Sequence, residues 1–263
     1  MNEEMLLKEN ERIDDLEING FRIIQNPSSF CFGMDAVLLA NFASSKKNLQ
    51  VADLGTGTGI IPLVMAAKGK GKEFVAFEII PEMADMASRS GRLNGIEEKF
   101  HVINMDIRDI IPNPDISQES NKIDNSDMIK KGTFDFVTSN PPYIKVDSGL
   151  HNPSSFLNVA RHEISVTLRD IIQTAAYLLK DKGSFAMVHK PFRLPEIITE
   201  LKNAGLEPKR LRLVQPKAGK EPSTILIEAV KGGGEFLRIE PTLVIYDDNG
   251  NYTEDVLEIY GKL

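Results

Sequence analysis

Apolar residues in this chain fall into short runs that end in glycine or a polar pair, each followed by a segment with helical spacing. Gln50-Val51-Ala52-Asp53-Leu54 reads as a strand stopped by glycine, and Ile60 to Lys68 as the helix that follows it. Glu73 to Glu78 is a second strand, and Glu82 to Asn94 has helical periodicity with Gly95 as its stop. Lys99 to Asn104 and Thr133 to Ser139 read as strands three and four, Leu168 to Leu179 as a helix and Gly183 to His189 as a fifth strand. Leu194 to Ala204 is a further helix ending at Gly205, and Leu206 to Val214 with Thr224 to Val230 close the series as a strand pair. Strands alternating with helices predict an α/β fold, a mostly parallel seven-stranded sheet with helices on both faces.

Three pieces fall outside this rhythm and set the expected organisation. Residues 1–48 are an N-terminal segment, acidic at first and then Phe/Gly-containing; residues 49–231 are the core; residues 232–263 are a C-terminal tail set off by Gly232-Gly233-Gly234, read as a flexible joint. Asn113 to Gly132 is rich in Asn, Asp, Ser and Lys, the composition of a solvated loop. A length of 263 residues suits one α/β domain with small appendages. No basic start followed by an apolar run marks a secretory signal, no run is long enough to cross a bilayer, and a single cysteine, Cys31, leaves neither a disulfide nor a thiolate cluster. Cytoplasmic location and no metal are therefore expected.

A formal net charge of −7 argues against non-specific coating of nucleic acid, which needs clustered Lys and Arg. It leaves room for a local basic surface. Between Lys190 and Glu221 eight basic residues face four acids, a balance that suits either a nucleic-acid contact or an ordinary solvated face.

Candidate chemistry begins where the first strand hands over to the first helix, at Asp53-Leu54-Gly55-Thr56-Gly57-Thr58-Gly59. Glycines there allow a tight turn and close approach of a ligand to the main chain. The spacing is G-x-G-x-G. A dinucleotide fingerprint needs G-x-G-x-x-G, and a P-loop needs a Lys-Ser/Thr pair; neither is present, so a cofactor without phosphates fits better. Glu78, closing the second strand, is placed to accept from two ribose hydroxyls. Asp106, after the third strand, is placed to accept from an adenine amino group, and Asp53 to face the ammonium of an amino-acid-bearing cofactor. Three acids around a glycine loop suit a ligand with ammonium and sulfonium centres.

Asn140-Pro141-Pro142-Tyr143 directly follows the fourth strand, at the carboxyl end where open α/β sheets bind ligands. The prolines fix φ and hold the residue before each extended. The Asn140 side-chain oxygen and the Pro141 carbonyl thus become two fixed acceptors for a planar NH₂, whose delocalised lone pair makes it a poor nucleophile. Hydrogen bonds to both N–H groups favour a pyramidal nitrogen, and Tyr143 offers a flat face on which a base stacks. Asn140, Pro141 and Tyr143 are the catalytic candidates, and Pro142 and Tyr143 line the substrate side.

These residues resemble the Rossmann-like class I methyltransferases, and within them the amino-methylating branch defined by Asn-Pro-Pro-Tyr. More narrowly the chain is similar to the bacterial tRNA1(Val) (adenine-37-N6)-methyltransferase family over roughly residues 15–230. The carriers are Gly33-Met34-Asp35-Ala36-Val37-Leu38-Leu39, the loop 53–59, Glu78, Asp106, the tetrapeptide and Ala160-Arg161-His162-Glu163. The resemblance implies S-adenosylmethionine as cofactor, held by Asp53, Gly55, Gly57, Gly59, Glu78, Asp106 and Asn140. It also implies a tRNA adenine as acceptor, with Arg161 and His162 on the substrate loop as phosphate or base contacts, a surface salt-bridge cluster with Glu163 being the alternative. Gly33, Asp35 and Ala36 are expected to line the cofactor side, with a packing helix as the alternative for Ala36 to Ala40. The 113–132 stretch and the tail exceed what the resemblance covers. Competing readings are methylation of a protein glutamine amide, of adenine in ribosomal RNA or DNA, and a non-catalytic nucleic-acid-binding module. The short segment before Val51 counts against the first; the intact glycine loop beside Asn140 counts against the last.

Overall fold

The computed structural model describes residues 6–28, 31–112, 129–142 and 166–262. A hairpin of β1 (Arg12–Asp15) and β2 (Arg22–Gln25) precedes α1 (Met34–Phe42). The alternating series then runs β3 (Gln50–Leu54), α2 (Ile60–Ala67), β4 (Glu73–Glu78), α3 (Pro81–Leu93), β5 (Phe100–Asn104), β6 (Phe134–Ser139), α4 (Leu168–Leu178) and β7 (Leu179–His189). After it come α5 (Leu194–Asn203), β8 (Leu206–Lys217), β9 (Thr224–Lys231), β10 (Arg238–Ile239), β11 (Leu243–Tyr246) and α6 (Glu254–Ile259).

The seven expected strands lie in the order β5-β4-β3-β6-β7-β9-β8. Strand β9 alone runs antiparallel to its neighbours in that set. The chain leaves β3 for β4 on one side and returns to β6 on the other. The sheet thus has its switch point between β3 and β6, where the strand ends leave a crevice for a ligand.

Successive residues of a buried strand face opposite layers. In β4, Phe74 and Ala76 join the cluster under α1 and α2, whereas Val75 and Phe77 join the one under α4 and α5. Helix α2 is Ile-Ile-Pro-Leu-Val-Met-Ala-Ala and buries seven of its eight residues, because the sheet covers one side and α1 the other. Pro62 is tolerated there because it sits in the first turn, where no backbone N–H is needed. In α1, Ala36 to Ala40 are buried in the same cluster, so that stretch is a packing helix. The helix opens at Met34 on Gly33, without a side-chain cap, and Asp35 lies in its first turn. Lys70 closes its other end, Nζ donating to the carbonyls of Ala40, Asn41 and Ala43.

The tail is where the structure most departs from the sequence reading. Both β10 and β11 pair in parallel with β8, so the sheet has nine strands among the described residues. Leu243, Ile245, Val256 and Ile259 are buried in the main core, each contributing about 1.5–3 kcal/mol of burial. The triple glycine is not a loose joint: Gly232 N–H donates to the Gly205 carbonyl, Gly233 N–H to Val230, and the Lys182 and Lys209 ammonium groups hold the Gly232 and Gly234 carbonyls. Glycine composition signals backbone freedom in the unfolded chain, and here tertiary hydrogen bonds consume it. Residues 113–128, most of the expected solvated loop, lie outside the described residues.

Candidate active site

The glycine loop turns back on β4, with both the Gly55 and Thr56 N–H groups donating to the Phe77 carbonyl at 2.9 Å. Gly55, Gly57 and Gly59 have φ of 71°, 60° and 89°, the left-handed region that favours glycine. A Cβ on Gly55 or Gly57 would meet nothing within 4 Å, so both backbones face open space in which a ligand fits. A Cβ on Gly59 would lie 3.0 Å from the Phe100 ring and 3.2 Å from Ala87; that glycine lets α2 approach α3 and β5.

Glu78 is pinned at the end of β4. Its Oε2 accepts from Gly57 N–H at 2.8 Å and its Oε1 from Ile80 N–H at 2.9 Å. Burial raises its pKa, against the pull of those N–H groups. The carboxylate therefore reads the loop backbone directly and keeps lone pairs for a second donor on each oxygen.

Asp53 is 1% exposed and accepts at Oδ1 from the Thr138 hydroxyl on β6, at 2.6 Å. Burial pushes its carboxyl up to about 6, Thr138 and Thr56 oppose that, and the Glu78 charge adds to it. Thr56 is close enough to favour the carboxylate, yet Asp53 Oδ2, Thr56 Oγ1 and Thr58 Oγ1 are buried with no hydrogen-bond partner among the described residues. Three orphaned oxygens beneath one loop demand a partner, because each unmade bond costs about 1–3 kcal/mol. A cation with N–H donors satisfies both the charge and the lone pairs.

Asp106 is built differently. Burial opposes its ionisation, but the Arg108 guanidinium, bonded to both carboxylate oxygens, holds its pKa below the usual value. Asp106 Oδ1 also accepts from Arg108 N–H at 2.9 Å, capping a short 3-10 turn, Ile107–Ile110.

Strand β6 delivers Asn140 to the same crevice. Asp53 and Leu54 are in register with Thr138 and Ser139, and the Ser139 hydroxyl donates to the Leu54 carbonyl at 2.9 Å. Asn140 is half-buried, Pro141 buried and Pro142 exposed. The first acceptors of the tetrapeptide thus stand next to the start of the glycine loop. Tyr143, Arg161, His162 and Glu163 lie outside the described residues.

The carboxyl end of β7 adds a residue that no sequence motif marked. His189 lies two positions beyond Met187, which is in register with Ser139, and is 2% exposed. Its Nδ1 accepts from Lys190 N–H at 2.7 Å. Burial, with the Arg193 and Lys190 charges and against that of Glu196, pushes the imidazole down to about 4, so it is neutral at working pH. The only available signal was its place at a strand end. Among the other predicted residues, Asp35 accepts from the Thr224 hydroxyl at the start of β9, at 3.4 Å, and Gly33 is exposed.

The family model described as the methyltransferase small domain matches residues 22–203. The chain belongs to this family. The methyltransferase takes S-adenosylmethionine as its methyl donor, and the orphaned oxygens of Asp53, Thr56 and Thr58 beneath an open glycine loop fit such a cofactor. It is 28% identical over 252 residues to a Porphyromonas gingivalis protein named tRNA1(Val) (adenine(37)-N6)-methyltransferase, covering 94% of this chain and 93% of that one. A Histophilus somni protein of the same name is 28% identical over 236 residues, covering 89% and 90%. Among solved structures, a predicted O-methyltransferase from Agrobacterium tumefaciens superposes with a TM-score of 0.67 at 24% identity, covering 87% of this chain and 96% of that one, a likeness of fold. No helix among the described residues is long and apolar enough to cross a membrane.

Proposed function

We propose that this methyltransferase transfers a methyl group to the exocyclic N6 of an adenine in tRNA, at position 37 of the anticodon loop. The observation that carries the reading is the placement of Asn140-Pro141-Pro142 at the switch point, beside Asp53 and the glycine loop. The names of relatives spanning about nine-tenths of the chain support the RNA.

S-adenosylmethionine, when bound, supplies an electrophilic methyl group on a sulfonium. Asp53 faces its ammonium, Glu78 accepts from the ribose hydroxyls, and the backbones of Gly55, Gly57 and Gly59 let it approach. Asp106, steadied by Arg108, accepts from the adenine amino group of the cofactor. Gly33 and Asp35 close that side from the N-terminal segment. Asn140 Oδ1 and the Pro141 carbonyl each accept one N–H of the substrate amine, which localises its lone pair and aims it at the methyl. Such fixed acceptors contribute most when charge develops in a site closed to water. No general base is needed before attack, because the proton becomes acidic once nitrogen is methylated. Pro142, Tyr143, Arg161 and His162 hold the base and its backbone, and an anticodon-loop adenine is already nearly unstacked, lowering the flipping cost.

The test is labelling. The full chain is given tritiated cofactor with total tRNA, ribosomal RNA and peptide-release factors. Label is expected in tRNA, recovered as N6-methyladenosine after digestion. Label in protein alone means the amide reading is correct.

A further inference from the structure

The basic stretch 190–221 divides sharply in the folded protein. Arg193 is bonded to Glu196, Lys202 to Glu207, Arg210 to Glu228 and Glu240, and Arg212 to Asp255, while Lys209 holds backbone carbonyls. Lys217 and Lys220 have no side-chain partner among the described residues. Lys217 closes β8 and Lys220 lies in the turn to β9, where Lys220 N–H donates to the Lys217 carbonyl and Ser223 N–H to Val214. That turn stands at the carboxyl edge, the edge from which Asn140 projects, because β8 runs parallel to β7 and β6.

Beside it is the corner that follows β7, Lys190-Pro191-Phe192-Arg193. Phe192 is 70% exposed. An exposed phenylalanine is common on a mobile loop, but this one sits on a fixed support. Lys190 N–H is held by His189, and Arg193 is buried and bonded through Nε and Nη2 to Glu196. Pro191 begins a 3-10 turn that continues directly into α5. The Lys190 ammonium reaches the Ser223 carbonyl at 3.4 Å, tying the corner to the lysine-bearing turn. The protein thus fixes a large apolar ring in water on the same sheet edge as two uncommitted cations and Asn140.

We propose that this corner and turn form a docking rim for the RNA strand next to the methylated nucleotide, with Phe192 stacking on a neighbouring base and Lys217 and Lys220 taking its phosphates. The proposal rests on RNA being the substrate. A flat ring beside basic side chains matches the alternation of base and phosphate in a single strand, and stacking tolerates any base. The acids near the corner leave this pairing intact: Glu196 is committed to Arg193, and Glu221 is the single carboxylate of the turn itself.

The experiment uses the full-length chain with an anticodon stem-loop RNA and with S-adenosylhomocysteine. Phe192→Ala is expected to weaken RNA binding and raise the KM for RNA about tenfold, the size of one lost base stack. Phe192→Trp keeps both within about twofold of the parent. Replacing Lys217 and Lys220 by Ala makes the log Kd against log salt slope shallower by about 1.4, the value for two single-strand phosphate contacts. Unchanged calorimetric affinity for S-adenosylhomocysteine shows that each variant is folded. A parent that methylates tRNA together with a Phe192→Ala variant of equal KM overturns the rim and leaves the substrate reading standing. A parent that labels only protein overturns the substrate reading, and the rim falls with it.

Discussion

Asp53 and Phe192 stand at the same edge of one sheet, the first 1% and the second 70% exposed. The half around β3 and β4 is acidic, desolvated and held by backbone N–H groups; three buried oxygens there have no partner among the described residues. The half around β7 and β8 is basic, wet and built from corners and turns, with its cations mostly paired. Their difference fits the ligands proposed for each half. A small cationic cofactor is gripped best where water cannot compete, since charge interactions strengthen as the local dielectric falls. A long polyanion is met best by solvated cations, which gain by releasing counterions and need no desolvation.

The sharpest way to separate the halves is Asn140→Ala, which removes a contact made on the acceptor side. A loss of about 10²–10³ in kcat is expected, the scale of one preorganised donor or acceptor, with cofactor affinity within a few-fold of the parent. Filter assays of tritium transfer and calorimetry with S-adenosylhomocysteine measure the two; retained turnover would remove Asn140 from its role. Glu78→Ala does the reverse. Because it strips two loop contacts and the ribose acceptor, cofactor affinity is expected to fall about 10–100-fold, the cost of one or two charge-assisted hydrogen bonds. Unchanged affinity would mean that ribose is held elsewhere.

Acidity gives a third, smaller handle. Asp53 titrates near 6 in the free protein and must be charged to hold an ammonium. Cofactor affinity is therefore flat above pH 7 and falls below 6, towards tenfold per pH unit. Stability runs the other way. A carboxyl raised from 3.8 to about 6 by folding is protonated in the native state at pH values where the unfolded chain is already charged. Its favourable contribution is complete below pH 3.8 and is lost as pH rises through 6. Asp53→Asn is expected to flatten the affinity profile; a profile that stays steep would place the titrating group elsewhere. The smallest effect concerns the loop alone. Gly59→Ala forces a left-handed φ of 89° on a residue whose Cβ meets Phe100 at 3.0 Å, a strain of about 1–3 kcal/mol read as a lowered Tm. Gly57→Ala, with open space around it, is expected to cost less stability and more cofactor affinity.

Much of this was legible in the residue order. Strands β3 and β4 end where the apolar runs end, at Leu54 and Glu78, because a doubly covered strand must be apolar throughout. The glycine loop and Asn140 were legible because unusual backbone shapes demand particular residues. Strands β1, β10 and β11 were not. Arg12-Ile13-Asp14-Asp15 and Arg238-Ile239 are too short and polar to carry a period, and β11 is a strand because β8 offers it an edge. His189 carried no signal beyond its place at a strand end, since its burial arises only from the packing of β7 between β6 and β9.

By itself, then, the sequence determined the alternating core, the open glycine turn and the rigid acceptor after β6, all of which depend on local covalent preferences of glycine, proline and apolar runs. Tertiary structure decided which charges are spent. It left Asp53 Oδ2 without a donor among the described residues, tied four of the eight basic residues of the 190–221 stretch to acids and two more to carbonyls, and left Lys217 and Lys220 over. The pairs of Arg210 with Glu228 and of Arg212 with Asp255 join residues 18 and 43 positions apart, a proximity that no local preference encodes.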